Sequence, residues 1–236
     1  MIPLRDINPT RTFPLVTILI IVANALAFFY ELTLSPEALT RFIAQYGTVP
    51  YQITHGVALD PAVTFPVYLT LLTSMFLHGG WLHIVGNMLY FWIFGNNIED
   101  RFGHIRFLMI YLFWGVAAGL AQVFIDPGSR IPALGASGAI AGVLGAYLVL
   151  FPTARVDALI PLGFFLTTLR LPAILVIGQW ILLQFLNGFS VVGGAPVDGG
   201  VAYFAHIGGA VVGLITGLLY RLLFARRALD TYGGGR

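Results

Sequence analysis

The sequence has no cysteine, and none of its twelve basic residues is lysine. Without cysteine there is no disulfide, no thiolate metal ligand and no cysteine nucleophile. Charge is also scarce. Only 9% of residues are Asp, Glu, Lys or Arg while 58% are hydrophobic, against about 25% charged in a soluble domain. With a mean hydropathy of +0.88, this is the composition of an integral membrane protein. A formal net charge of +2 is too small to point to nucleic acid. No repeat, low-complexity tract or second domain is visible. Residues 1–236 read as one domain, with a core over about 12–224 and a frayed tail at Gly233-Gly234-Gly235-Arg236.

What the chain does have is a series of charge-free runs. A membrane-spanning helix needs roughly 20 apolar residues. Six such spans are expected: Thr12–Tyr30, a helix starting near Trp81 within Pro61–Ile98, Phe107–Ile125, Ile131–Ala154, a helix within Leu171–Val197, and Gly199–Tyr220. The expected fold is therefore an all-α membrane bundle. Ala158–Leu169 is charge-free but too short to span, and is expected along an interface. The loop from about 31 to 80 carries many apolar residues and is expected to lie partly in the outer interface. The first run is read as a retained span rather than a cleaved leader. It is long for a signal peptide, and Phe28, Phe29 and Tyr30 directly follow Ala25-Leu26-Ala27. Arginine placement sets the orientation. With both termini cytoplasmic, ten arginines fall inside and two, Arg41 and Arg130, outside.

Polar residues inside such helices are costly and mark function or packing. The fourth span opens on Gly135-Ala136-Ser137-Gly138. A serine among small residues suits a close backbone approach and a presented hydroxyl. The sixth span holds Ala205-His206-Ile207-Gly208-Gly209, with Gly213 and Gly217 at further four-residue steps. Gly138, Gly142, Gly145 and Ala146 form a matching set. Small residues at this spacing let two membrane helices touch backbone to backbone, which would bring Ser137 and His206 face to face. The second span begins near His78 and His83, with Asn87 one turn after His83 on the same face. In the expected topology, spans two, four and six all begin on the outer side. His206 lies seven residues into its run, about 10 Å deep at 1.5 Å per residue, so all three polar sites share one shallow layer that water can reach.

This is a pattern for nucleophilic catalysis. A serine hydroxyl needs a base within reach, and a neutral imidazole, here His206, can take its proton. Backbone N–H groups at the start of the fourth helix favour an anion. With side-chain donors from His83 and Asn87 they could hold a tetrahedral oxyanion. No aspartate is placed to orient His206, which suggests a dyad. Glu99, Asp100 and Arg101 sit at the far end of the second span and read as a structural hydrogen-bond cluster; His55 and His104 receive no role.

These residues resemble the rhomboid family of intramembrane serine proteases. Gly135-Ala136-Ser137-Gly138 is similar to its nucleophile motif, and Ala205-His206-Ile207-Gly208-Gly209 to its base motif. His78, His83 and Asn87 match its two histidines and asparagine in spacing, and Gly95, Glu99 and Gly103 resemble a further motif. The resemblance implies a six-helix bundle of rhomboid type that cleaves peptide bonds in or near transmembrane segments. It implies Ser137 as nucleophile, His206 as base, and His83, Asn87, Ala136 and Gly135 around the oxyanion. His78, Gly138, Gly209 and Gly213 would be structural neighbours, and the fifth helix a substrate gate. Transmembrane proteins would be the substrates and lipid the surroundings, with no cofactor, metal or nucleic acid and no signal for oligomeric state. A prokaryotic cell membrane, with the site opening on the extracytoplasmic side, is the expected location. Two positions depart from the family pattern: Leu69-Thr70 stands where many members have Trp-Arg, and Ala141 where many have a tyrosine packed on the base. The alternatives are an inactive membrane chaperone of the same architecture, a zinc protease using His78, His83 and His206, and a small transporter. The first conflicts with retention of Ser137, His206, His83 and Asn87 together, the second with the missing HExxH pattern, and the third with the lack of paired broken helices.

Overall fold

The computed structural model describes residues 1–162, 165–192 and 201–232. The chain begins with a short strand, β1 (Ile2–Asp6), and a helix, α1 (Leu15–Glu31). Three short helices follow, α2 (Pro36–Tyr46), α3 (Pro50–His55) and α4 (Thr70–Thr73). The long helices α5 (Trp81–Phe102) and α6 (His104–Ile125) lead to α7 (Ser137–Leu150). A hairpin of β2 (Arg155–Leu162) and β3 (Phe165–Pro172) precedes α8 (Ala173–Val192) and α9 (Tyr203–Tyr232).

The architecture is a mostly helical membrane fold. Among the described residues, three helices are long and apolar enough to cross a membrane: His104–Ile125, Ala173–Ser190 and Tyr203–Phe224. Val67–Phe76 and Trp81–Phe102 qualify together as a pair bent by 81°, and Leu15–Glu31 and Ser137–Leu150 are apolar but shorter. Each expected span thus meets a helix, although the end of the fifth expected run and the first residues of the sixth, like the C-terminal glycines, lie outside the described residues. The outward faces suit lipid: Leu19, Leu26, Met109, Phe113, Leu186 and Leu218 are all exposed.

The core is α7. Every residue from Ser137 to Tyr147 is buried, and α9, α6 and α5 pack around it. Its 14 residues reach only about 21 Å at 1.5 Å per residue, less than a hydrocarbon layer of roughly 30 Å. The contact with α9 is backbone on backbone. A Cβ on Gly209 would lie 2.0 Å from the carbonyl oxygen of Gly138, and one on Gly213 2.0 Å from that of Gly142. From the other side, a Cβ on Gly145 would lie 2.2 Å from the carbonyl oxygen of Ala210. The four-residue glycine stripe is therefore the seam of the bundle.

A second anchor lies at the far end of α5. The buried Glu99 carboxylate accepts the backbone N–H groups of Val16 and Thr17, both at 2.8 Å, and the Thr17 hydroxyl at 2.7 Å. The first N–H groups of a helix lack intrahelical partners, and Pro14 gives α1 no side-chain cap. Glu99 supplies that cap from another helix, with its negative charge at the favourable end of the dipole. The oxygen that accepts from Val16, Oε1, also meets His104 Nδ1 at 2.5 Å, giving His104 a partner at the start of α6. Asp100 accepts from Arg11 N, Thr12 N and Thr12 Oγ1. Arg101 stays outside this carboxylate network: its guanidinium lies over the Tyr220 ring, and its carbonyl accepts the Tyr220 hydroxyl.

The all-α expectation needs correction. β1, β2 and β3 form an antiparallel sheet in that order, and the segment expected along an interface is the two arms of a hairpin. β2 pairs with β3 from Arg155↔Pro172 to Leu162↔Phe165. The cause is an alternation hidden by counting charge-free runs. Val156 and Ala158 are fully buried, while Asp157 points the other way to Arg5 Nε at 2.9 Å and Arg170 Nε at 3.0 Å. Alternation of this kind is the strand period. The loop expected outside is likewise built of short helices. Thr48 pairs with Ala133, and its hydroxyl meets the Thr70 carbonyl and Ser74 Oγ.

Two predictions follow from these contacts. Gly213→Ala should cost about 1–3 kcal/mol through overpacking, because its Cβ meets backbone. Gly178→Ala, with no heavy atom within 4 Å of its Cβ, should be neutral or gain up to about 1 kcal/mol. Thermal unfolding of both in detergent checks this, and equal behaviour would refute the seam. Asp6 supplies the second prediction. Burial raises its carboxyl pKa from 3.8 to about 6, against hydrogen bonds from Tyr147 and Asn97 that favour the anion. The stability it contributes is thus complete below its ordinary pKa and is lost as pH rises toward 6. Over that window wild type should lose stability relative to Asp6→Asn; parallel pH curves for the two proteins would contradict the assignment.

Candidate active site

A pocket of about 700 Å³ opens where the first turns of α5, α7 and α9 meet α8. Leu82, His83, Gly86, Asn87 and Tyr90 line it from α5, Ser137 and Ile140 from α7, Trp180 and Gln184 from α8, and His206 from α9. The two central residues of the sequence reading are in contact here. His206 Nε2 lies 2.6 Å from Ser137 Oγ, and both residues are only 8% exposed. They come together because Ser137 opens α7, His206 sits one turn into α9, and the glycine seam below them fixes the register of the two helices.

The approach to Ser137 is set by Gly135, whose φ of +118° lies where side chains are strained. A Cβ there would also strike the His83 ring, 2.7 Å from Nε2 and 2.8 Å from Cε1. Glycine thus makes room for His83 directly beside the serine. Gly135 does not offer its own N–H to a ligand, since it donates to the Ser74 carbonyl at 2.9 Å. The first helical hydrogen bond of this turn runs from Ile140 N to the Ala136 carbonyl. The N–H groups of Ala136 and Ser137 come before it, at the end of α7 that carries positive dipole charge. Ala136 itself is fully buried.

His83 takes the Gly79 N–H on Nδ1 at 3.3 Å. A donor on Nδ1 puts the ring proton on Nε2, the atom beside Gly135. Asn87 donates Nδ2 to His78 Nε2 at 3.0 Å. His78 is held in turn by its backbone N–H to the buried Glu31 carboxylate, 3.3 Å from either oxygen, and by edge contact with the His83 ring. His78, His83 and His206 therefore point at different partners, and among the described residues no group of three potential metal ligands converges. Gly138 is packed against Ala118, only 2.7 Å from where its Cβ would be; Gly209 and Gly213 belong to the seam described above.

The sequence reading left open what holds His206 where many relatives have a tyrosine and this chain has Ala141. α8 supplies the contact. The Trp180 ring lies 5.4 Å from the imidazole at 39°, and Gln184 Oε1 lies 2.7 Å from His206 Nδ1. The signal available beforehand was the spacing of an aromatic and an amide four residues apart in an apolar helix. It was too weak to use, because nothing in the sequence sets the rotation of α8 against α9.

With this geometry in view, comparison with known proteins decides the family. The Rhomboid domain model matches residues 66–222. The chain belongs to the rhomboid family. Relatives include Rhomboid protein 1, mitochondrial, of Saccharomyces cerevisiae, 29% identical over 153 residues that cover 63% of this chain and 41% of the yeast protein. Rhomboid-like protein 11, chloroplastic, of Arabidopsis thaliana is 26% identical over 158 residues, covering 64% and 52%. Rhomboid protease GluP of Bacillus subtilis is 35% identical over 143 residues, covering 61% and 24%. The matched part of this rhomboid thus spans between about a quarter and a half of each relative's length. The relatives come from bacteria, mitochondria and chloroplasts. Kinship places this rhomboid in a membrane, and gives no support to the narrower expectation of a prokaryotic cell membrane.

Proposed function

We propose that this chain is an intramembrane serine endopeptidase that cleaves peptide bonds in or near the transmembrane segments of other membrane proteins. The observation that carries the reading is the 2.6 Å contact between Ser137 Oγ and His206 Nε2 inside an apolar-walled pocket. The relative named as a rhomboid protease adds support from kinship.

Ser137 Oγ attacks the carbonyl carbon of the scissile bond as its proton passes to His206 Nε2. Negative charge then gathers on the former carbonyl oxygen. The N–H groups of Ala136 and Ser137, His83 Nε2–H and the Asn87 amide surround the place where that oxygen would sit, and the N-terminal turns of three helices add positive potential. The tetrahedral species collapses, the C–N bond breaks, and the imidazolium gives its proton to the leaving nitrogen. Water then attacks the acyl-serine, losing a proton to His206, which returns it to Ser137 as the new carboxyl end departs. No cofactor is needed at any step.

In this reading the six helices α1, α5, α6, α7, α8 and α9 form a six-span bundle with both termini cytoplasmic and the pocket open to the opposite side. The short α7 places its serine below the membrane surface, where water reaches through the pocket. A substrate segment enters between α5 and α8, where Tyr90 and Trp180 stand 6.1 Å apart.

Cleavage of a single-span model substrate tests the core of this. Ser137→Ala and His206→Ala should each lower kcat roughly 10⁴-fold or more, with helix content unchanged by circular dichroism. Normal cleavage by Ser137→Ala would overturn the mechanism. His83→Ala and Asn87→Ala should each lower kcat about 10²-fold with little change in KM. Wild-type turnover in either variant would remove that residue from the oxyanion site.

A further inference from the structure

His206 is gripped from both sides, and the second grip has no part in the reaction above. A neutral imidazole carries its proton on one nitrogen only. Unless that nitrogen is Nδ1, Nε2 has no lone pair for the serine and His206 is no base. The structure contains a device that makes this choice. Gln184 Oε1 and His206 Nδ1 are 2.7 Å apart, and both side chains are buried.

An amide side chain offers an acceptor at one end and donors at the other, so its direction must come from its other contacts. Here Gln184 Nε2 donates to the Trp180 carbonyl at 3.1 Å, one turn back on α8. Reversing the amide would set its oxygen against that carbonyl oxygen, two acceptors facing each other. The direction is therefore fixed. The Trp180 carbonyl accepts from the Gln184 amide, the Gln184 oxygen accepts from His206 Nδ1–H, and Nε2 is left to accept from the Ser137 hydroxyl. Each donor in the row meets an acceptor only if all of them run this way.

We propose that Gln184 is the positioning residue of the base, holding His206 in the tautomer that can deprotonate Ser137. The proposal rests on the serine-peptidase reading and adds a third, uncharged member to its dyad. An amide suits this place. A carboxylate on a helix facing lipid would bear a large desolvation cost, whereas an amide fixes the proton without adding charge. The Trp180 ring beside the imidazole offers a π face to the cation formed during turnover. Because both residues ride on α8, which also forms one wall of the pocket, displacement of that wall changes the hydrogen bonding of the base.

Two substitutions and two readouts test this. Gln184→Met keeps the length and removes the acceptor. Its kcat should fall roughly ten- to a hundredfold, the effect of a buried hydrogen bond left unmade, with KM within about twofold. Gln184→Glu restores an acceptor and adds negative charge beside the ring, so activity should return and the acid limb of the pH profile should move to higher pH. Wild-type kcat in Gln184→Met, or a Gln184→Glu enzyme as impaired as Gln184→Met with an unmoved acid limb, would overturn the assignment. The second readout does not depend on turnover. In ¹⁵N-histidine-labelled protein, with His206 identified by its loss in His206→Ala, the proton should sit on Nδ1 in wild type and spread over both nitrogens in Gln184→Met. A wild-type proton on Nε2 would sink the positioning role. A wild-type proton on Nδ1 in a protein that cleaves no substrate would sink the peptidase reading while the positioning role stood.

Discussion

Everything at the pocket end of this molecule depends on the bare backbone contact between α7 and α9. Lipid gives apolar helices little reason to associate, so dispersion at close range has to do it. Glycines 209 and 213 meet the carbonyls of Gly138 and Gly142, and Gly145 meets that of Ala210. A seam this tight permits one register, since sliding by a residue would drive side chains into backbone. Ser137 and His206 stand at the top of that seam, so their separation is inherited from the packing below them. The pair needs no local scaffold of its own.

A second consequence concerns charge. The pocket gathers the N-terminal turns of α5, α7 and α9, so several helix dipoles present their positive ends to one small volume. Across the bundle, the negative side chains serve structure instead. Glu99 caps α1 and Asp100 takes the backbone of Arg11 and Thr12. Glu31, which takes the backbone N–H of His78, is the carboxylate anchor at the pocket's end, and the side chains lining the pocket beside the serine are uncharged polar or apolar groups. Asp6, Asn97 and Tyr147 extend the Glu99 end by tying β1 to α5 and α7.

Much of this was legible in the sequence. The glycine step of four, the serine and histidine beside it, and His83 with Asn87 are periodic features, and a helix turns sequence period directly into a shared face. Glu99 and Asp100 were legible as structural because charges at a span's end seek backbone partners. The sheet was not legible. Its middle strand pairs with a five-residue strand distant in sequence, Ile2–Asp6, and apolar residues on its buried face merge with charge-free surroundings. Gln184 and Trp180 were hidden for another reason. α8 is apolar on nearly every side, so sequence alone could not say which stripe faces α9. That was settled only by tertiary packing, and it placed the contacts of His206 on a helix expected to serve as a gate.

The way α8 is mounted completes the picture. Its first turns are set firmly: Ala173, Val176 and Ile177 are buried, and the Ala173 N–H donates to the Ala154 carbonyl at the foot of the hairpin. Further along, Leu182, Leu183, Leu186 and Phe189 stand exposed. The helix is a beam clamped at its root in the sheet, and beyond the root its protein contacts run along the α9 side, through Gln184, Gly188 and Phe189. Tilting such a beam moves its tip most and its root least. Trp180 and Gln184 lie partway out, where a small tilt shifts an amide by enough to break a 2.7 Å bond.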